Sequence, residues 1–304
     1  SGSGLSHRAC SRSRNISCDS AVTCGRQAGP SLFNRRETRR GLNAAATVGP
    51  VTPLDTTGLL ADRSLRGPDF CRALSDRIDG FLAEVFGAAD PPPGTALVAV
   101  GGYGRREQCP GSDVDVVLVH RRGLDMADVA ERVWYPLWDA GLKLGHQVGT
   151  LPQLLEVASE HLDTATSLLA ARPVAGDATV ANELAAAALR QWSGRSRRHL
   201  DDLQASVAER HARFGEVAFL LEPDLKESRG GLRDVHSLLW VEQATLPILR
   251  ESESAGLAAA AETLLSVRVE LHRLTGQRAD RLLLELQDDV AAALDLADAD
   301  VLMA

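Results

Sequence analysis

Lysine is nearly missing from this chain: of 304 residues only Lys143 and Lys226 are lysine, and arginine supplies the remaining cationic charge. With alanine abundant, that bias reads as the coding habit of a GC-rich genome. No run of eighteen apolar residues occurs, which excludes an apolar helix spanning a membrane. No Gly-x4-Gly-Lys-Ser/Thr run occurs either, so a P-loop is excluded. No Cys-x2-Cys pair is present, and His7, Cys10, Cys18 and Cys24 are too loosely spaced to favour zinc. The five cysteines, an odd number without a secretory signal, point to a reducing, cytoplasmic setting.

Charge is unevenly spread. Residues 1–50 hold eight arginines against Asp19 and Glu37, a net +6, so an overall charge of −8 leaves −14 on the rest. They have no apolar period and are rich in Ser, Gly, Arg and Asn, which predicts disorder. The start at Ser-Gly-Ser-Gly, with Met126 the first methionine, reads as an appended tag or a mis-set start. Residues 51–68, with Pro53, Gly58, Gly67 and Pro68, read as a linker. The 44% apolar content is that of an ordinary globular protein.

What is present centres on one stretch. Ala96 to Val100 is a short apolar run fit for a buried strand, stopped by Gly101 and Gly102. Glycines at 101, 102 and 104 tolerate positive φ and admit a ligand close to the backbone, where successive N–H groups can cradle an anion. Asp113 and Asp115 follow, two apart at the head of a β-branched strand running to Val119, so both carboxylates should share a face. Two like charges side by side call for a cation. Carboxylates beside a phosphate cradle suit Mg²⁺ and metal-assisted nucleotidyl or phosphoryl transfer. The dinucleotide-binding fingerprint fits less well, since Glu107 stands where its third glycine belongs. Either feature alone would be an ordinary glycine turn or a solvated strand edge; their order and closeness favour function.

Gly101-Gly102-Tyr103-Gly104-Arg105-Arg106-Glu107 and Ser112-Asp113-Val114-Asp115-Val116-Val117 resemble the nucleotidyltransferase core of the PII uridylyltransferase family. The resemblance runs from about residue 70 to 290. It continues through Leu144-Gly145-His146-Gln147-Val148, Ala171-Arg172-Pro173-Val174-Ala175-Gly176-Asp177 and Leu221-Glu222-Pro223-Asp224-Leu225-Lys226, to Gly230-Gly231-Leu232-Arg233-Asp234-Val235-His236. It implies an α/β (α+β) polymerase-β-like nucleotidyltransferase core over 69–150 and a helical second domain over 151–304. Asp113 and Asp115 would be catalytic and bind Mg²⁺. Gly101, Gly102, Gly104, Arg105, Ser112, Lys226 and Arg233 would bind the nucleotide. UMP or AMP would pass from UTP or ATP to a tyrosine of the PII signalling protein, with pyrophosphate released; nucleic acid and membrane are not expected partners. The related glutamine-synthetase adenylyltransferase and an inactive nucleotide-binding module are the alternatives.

Two departures matter. The superfamily's third carboxylate is expected on the next strand, yet Lys143 to Val148 holds none; His146 stands there as half a site candidate, half a packing residue, with Asp139 and Asp163 in reserve. None of the eight histidines is followed by aspartate, so the HD-type hydrolase domain and the ligand-sensing ACT domains of full-length members are expected to be absent. Such a chain should transfer the nucleotide without removing it.

Periodicity fills in the rest. Helices are predicted over 69–86, capped by Asp69, over about 125–140, and almost continuously beyond Leu151, including 232–249, 257–274 and 288–302. The charged segment 222–234 interrupts them as a functional loop. The basic residues from 195 to 213 read as a solvated face.

Overall fold

The computed structural model describes residues 51–245 and 248–303. The disorder expected of residues 1–50, and the His/Cys group within them, lie outside the described residues. Helices α1 (Thr57–Ala61) and α2 (Gly67–Ala88) lead into strand β1 (Thr95–Ala99) and a single helical turn, α3 (Gly101–Gly104). Strand β2 (Val114–His120), α4 (Ala127–Asp139), β3 (Leu144–Thr150), α5 (Leu151–Glu160), α6 (Leu162–Leu168) and β4 (Arg172–Gly176) follow. Then come α7 (Ala178–Gly194), α8 (Ser196–Phe214), α9 (Leu232–Ala244), α10 (Glu251–Thr275), α11 (Gln287–Ala293) and α12 (Ala299–Met303). The fold is mixed α/β, one small sheet in a mostly helical chain.

The sheet has the order β3-β2-β1-β4, with β2 and β3 parallel and the other pairs antiparallel. Every residue of β1 is buried, because both faces of the sheet are covered. Leu97 and Ala99 face α2, α4 and α10, packing with Phe70, Leu82, Val133 and Val269. Ala96, Val98 and Val100 face the other layer, with Leu154, Leu168, Leu184 and Trp192. Each such aliphatic or aromatic side chain taken from water contributes about 1.5–3 kcal/mol. The Trp192 indole N–H donates to the Trp240 carbonyl at 2.8 Å, tying α7 to α9, and His199 of α8 stacks on Trp192 with ring centroids 4.6 Å apart.

Three local expectations need correction. Asp69 does not cap α2: the helix starts earlier, with Pro68 in its first turn, where a missing N–H costs nothing. Residues 172–176 form the strand β4, where the sequence shows no strand pattern. The helix expected over 288–302 is two short ones, broken at Asp295, whose φ is +59°.

Helix α10 also closes the molecule around buried polar groups. Its Arg273 pairs with Glu270 at 2.7 Å, donates to the Asp62 carbonyl at 2.8 Å and lies over the Phe70 ring. Beside it, Cys71 of α2 and Cys109 are both fully buried with their Sγ atoms 3.8 Å apart, and Arg268 reaches Cys109 Sγ at 3.2 Å. No helix among the described residues is long and apolar enough to cross a membrane.

Candidate active site

The turn after β1 is built so that only glycine fits at positions 101 and 104. Gly101 has φ +59°, and a Cβ there would lie 3.1 Å from both Asp115 Oδ2 and the Ser167 hydroxyl. On Gly104 a Cβ would sit 2.1 Å from the Ala170 carbonyl oxygen, inside any contact distance. The turn thus presses against α6 on one side and the acidic strand on the other. The first N–H groups of a helical turn have no intrahelical acceptor, which leaves this one available to an anion. Tyr103 anchors it from below: its hydroxyl donates to Asp79 of α2, which also takes a two-pronged contact from Arg172 of β4 at 2.6 and 3.0 Å.

Asp115 is the second residue of β2 and shares its sheet face with Val117 and Val119; Asp113, one residue before the strand, has the same parity. Asp115 Oδ2 faces Gly101. Burial, and then the negative charge of Asp113, push the Asp115 carboxyl up to about 6, against the pull of Lys226, Arg278 and Arg105. Asp113 accepts from Arg278 at 2.8 Å. The Ser112 hydroxyl oxygen is buried, with no hydrogen-bond partner among the described residues.

The charged segment 222–234 packs beside these acids. Asp224 Oδ1 accepts the backbone N–H groups of Lys226 and Glu227 at 3.0 and 2.7 Å, fixing a tight turn. Gly231 is hemmed by three carbonyl oxygens, of Leu225, Ser228 and Lys226, at 2.9–3.0 Å from where a Cβ would be. The segment is tied down by Leu225 N–H to the Asp280 carbonyl at 2.7 Å and by Asp234, which takes Arg210, His211 at 2.9 Å and the Gly230 N–H at 2.7 Å. Arg210 and His211 are therefore not part of a wholly solvated basic face. Lys226 is partly buried, and burial, with the charge of Arg233, lowers its pKa. Among the described residues its ammonium has no hydrogen bond or ion pair. The Arg233 side chain makes one ion pair among the described residues, a long one with Glu227 at 3.5 Å.

Sequence reasoning passed over a link between the two motif blocks. Arg105 Nε donates to Glu107 at 2.9 Å, His236 Nε2 lies 2.9 Å from the same carboxylate, and Arg105 Nη2 is 3.5 Å from His236 Nδ1. Burial would raise Glu107, but His236 and Arg105 outweigh it and hold its carboxyl at about 2. Burial keeps His236 below its usual pKa, so it is neutral near pH 7 and its Nδ1 faces Arg105 as an acceptor. The signal was present in the sequence: Glu107 and His236 close the two charged motifs and serve no apolar pattern. Arg278 and Ser167 had no such signal.

His146 is not at this site. It pairs in register with Val116, on the sheet face opposite Asp115, and sits between Trp134 and Trp138 with ring centroids 5.1 and 5.5 Å away. The position beside Asp115 on β3 is Gly145. Asp139 ends α4, and Asp163 lies on α6 at the rim of a separate cleft. No group of three or more His, Cys, Asp or Glu residues converges among the described residues. The arrangement is thus an acid pair, one acid desolvated, flanked by Lys226, Arg105 and Arg278 over a glycine turn. It can hold a polyanion together with a divalent cation.

Comparison with known proteins agrees in kind. Residues 198–304 match the GlnD PII-uridylyltransferase family. The chain is 46% identical over 248 residues to the bifunctional uridylyltransferase/uridylyl-removing enzyme of Streptomyces coelicolor, an alignment covering 81% of this chain and 29% of that protein. Proteins of the same name in Mycobacterium tuberculosis and Pseudomonas putida are 42% identical over 223 residues and 32% identical over 293 residues, covering 71% and 90% of this chain and 28% and 33% of theirs. The chain spans about three tenths of the length of the relatives it matches. Over the part it shares with them, it belongs to the GlnD PII-uridylyltransferase family.

Proposed function

We propose that this chain is the transferase part of such an enzyme. Its core, of the polymerase-β-like nucleotidyltransferase kind, would pass UMP or AMP from UTP or ATP to a tyrosine hydroxyl of the PII protein. The observation that carries this reading is the opposed pair of Asp115, whose charge is disfavoured where it sits, and Lys226, a partly desolvated ammonium with no hydrogen bond or ion pair among the described residues. A cation between the carboxylates and phosphate oxygens against the lysine relieve both.

Asp113 and Asp115 would hold Mg²⁺; their like charges and oxygen donors fit a hard cation that keeps several waters. When bound it would polarise the α-phosphoryl group and offset charge on the departing pyrophosphate. Lys226, Arg233 and Arg278 take phosphate oxygens, and Arg105 is held in place for the same task by Glu107 and His236. The N–H groups of the glycine turn receive the chain of phosphates. The bond formed is tyrosyl oxygen to α-phosphorus; the bonds broken are the phenolic O–H, whose proton passes to solvent, and α-phosphorus to the bridging oxygen, which leaves with pyrophosphate.

The test is incubation of the purified chain with PII, Mg²⁺ and each of UTP and ATP, read by intact mass. A gain of one nucleotidyl group on PII is expected with one of the two donors. An unmodified PII with both, in the presence of a folded chain, would overturn the proposal.

A further inference from the structure

A cleft of about 260 Å³ opens between α6, α8, α9 and the 222–234 segment. Two of its walls run on into the acid-pair site. Arg233 lines it, and the Arg233 N–H bonds back to the carbonyl of Lys226 at 3.0 Å. On the other side Asp163 and Thr166 line it from α6, and the next residue, Ser167, places its hydroxyl beside Gly101 and Asp115.

Its chemistry differs from that of the acid-pair site. Three acids, Asp163, Glu209 and Glu227, stand against three arginines, Arg210, Arg213 and Arg233, so the lining carries no net charge. A polyphosphate gains nothing here. The floor is apolar, formed by Leu162, Leu203, Val207 and the buried Trp240. At the rim, the Asp163 carboxylate and the Arg213 guanidinium have no ion pair among the described residues, and Arg213 lies over the Phe214 ring at 5.2 Å. An uncharged flat ring with donors and acceptors on its edge, carried on a hydroxylated sugar, matches this set of groups. The volume sits just below the ~300–1,000 Å³ of common small-molecule sites, enough for one small ring system and its sugar.

We infer that this cleft receives the nucleoside of the donor triphosphate, with the phosphates leading past Arg233 and Lys226 to the acid pair. The inference rests on the proposed transferase reading. It assigns selection of the nucleotide to α6, α8 and α9, away from the glycine turn.

The test compares UTP, ATP and inorganic tripolyphosphate by calorimetry with Mg²⁺, on the unaltered chain and on Ser206→Trp. Ser206 is exposed on α8 at the rim, so the indole fills the cleft without entering the core. One nucleotide is expected to bind at least about tenfold more tightly than tripolyphosphate to the unaltered chain. Ser206→Trp should erase that advantage and leave tripolyphosphate binding unchanged. A second variant, Asp163→Ala, should weaken the nucleotide and spare tripolyphosphate. Tripolyphosphate binding with no nucleoside advantage, or an advantage that survives both variants, overturns the inference alone. If none of the three ligands binds, the transferase reading falls and takes the inference with it.

Discussion

Asp115 shows how a single residue trades stability for chemistry. Its carboxyl is pushed up to about 6 by burial and by Asp113, against an ordinary 3.8. An acid with a raised folded-state pKa stabilises fully only below its unfolded value, and that contribution is lost as pH rises through about 6. Above that, the ionised side chain costs the metal-free protein about 3 kcal/mol, the equivalent of some two pKa units. Asp115→Asn should therefore raise the unfolding free energy of chelator-treated protein by up to about 3 kcal/mol near pH 7.5, the gain shrinking between about pH 6 and pH 4. The same change should cut nucleotide transfer on the order of 10²–10³-fold. Urea titrations at two pH values, set beside transfer rates, check both halves; an equally stable variant would mean the carboxyl is not desolvated.

The residues that make this site were legible to different degrees. Asp113, Asp115, Gly101 and Gly104 stand out because their types and spacing are set by local geometry: strand parity places the acids, and a crowded turn demands the missing side chains at 101 and 104, while Gly102 has room for one. Arg278 and Ser167 reach the same place through tertiary packing, which leaves no trace at short range. His146 shows the limit of parity arguments. An isolated β-strand alternates, but which residue faces which layer is decided by register, and pairing with Val116 turned the imidazole toward Trp134 and Trp138.

Among elements, the junction of α2, α3 and β4 holds the glycine turn at its height above the sheet. Asp79 is its centre, accepting from both Arg172 nitrogens and from Tyr103, with all three groups largely shielded. Asp79→Ala would leave a shielded guanidinium and a buried phenol without their acceptor. A loss of about 3–5 kcal/mol is expected, the scale for breaking a buried pair from one side. Chemical denaturation measures it, and a loss under about 1 kcal/mol would reduce the contact to a surface ion pair. β4 itself escaped sequence reading for a physical reason. Arg-Pro-Val-Ala-Gly has one β-branched residue and a proline, a poor pattern for a central strand, yet proline is tolerated at a sheet edge, and β4 is an edge. Helices α2 and α7 were plain from their periods, because each buries a single stripe, whereas α10 is buried on all sides from Val267 to His272.

At the scale of the whole molecule, the sheet is a thin partition with a core on either side, and the acid pair lies at the end of its second strand. The C-terminal part completes the site. Asp280, after α10, accepts from Arg268 at 2.7 Å and from Arg278 at 3.3 Å, and Arg278 reaches Asp113. Chain more than 150 residues downstream of the acids thus sets their surroundings, which is why no local window of sequence displays the complete site.

The sealed sulfurs of Cys71 and Cys109 turn this architecture into a clock. If Cys10, Cys18 and Cys24 are replaced by serine, the two remaining thiols are both fully buried, beneath α2 and α10. A thiol-coloured reagent should then find nothing to react with until the protein breathes open, and the slow appearance of colour would count those openings. Where reclosing outpaces the reagent, the labelling rate reads out their free energy. Mg²⁺ with nucleotide should slow the clock if it grips the closed form, whereas immediate colour would mean that α2 and α10 do not close over these sulfurs.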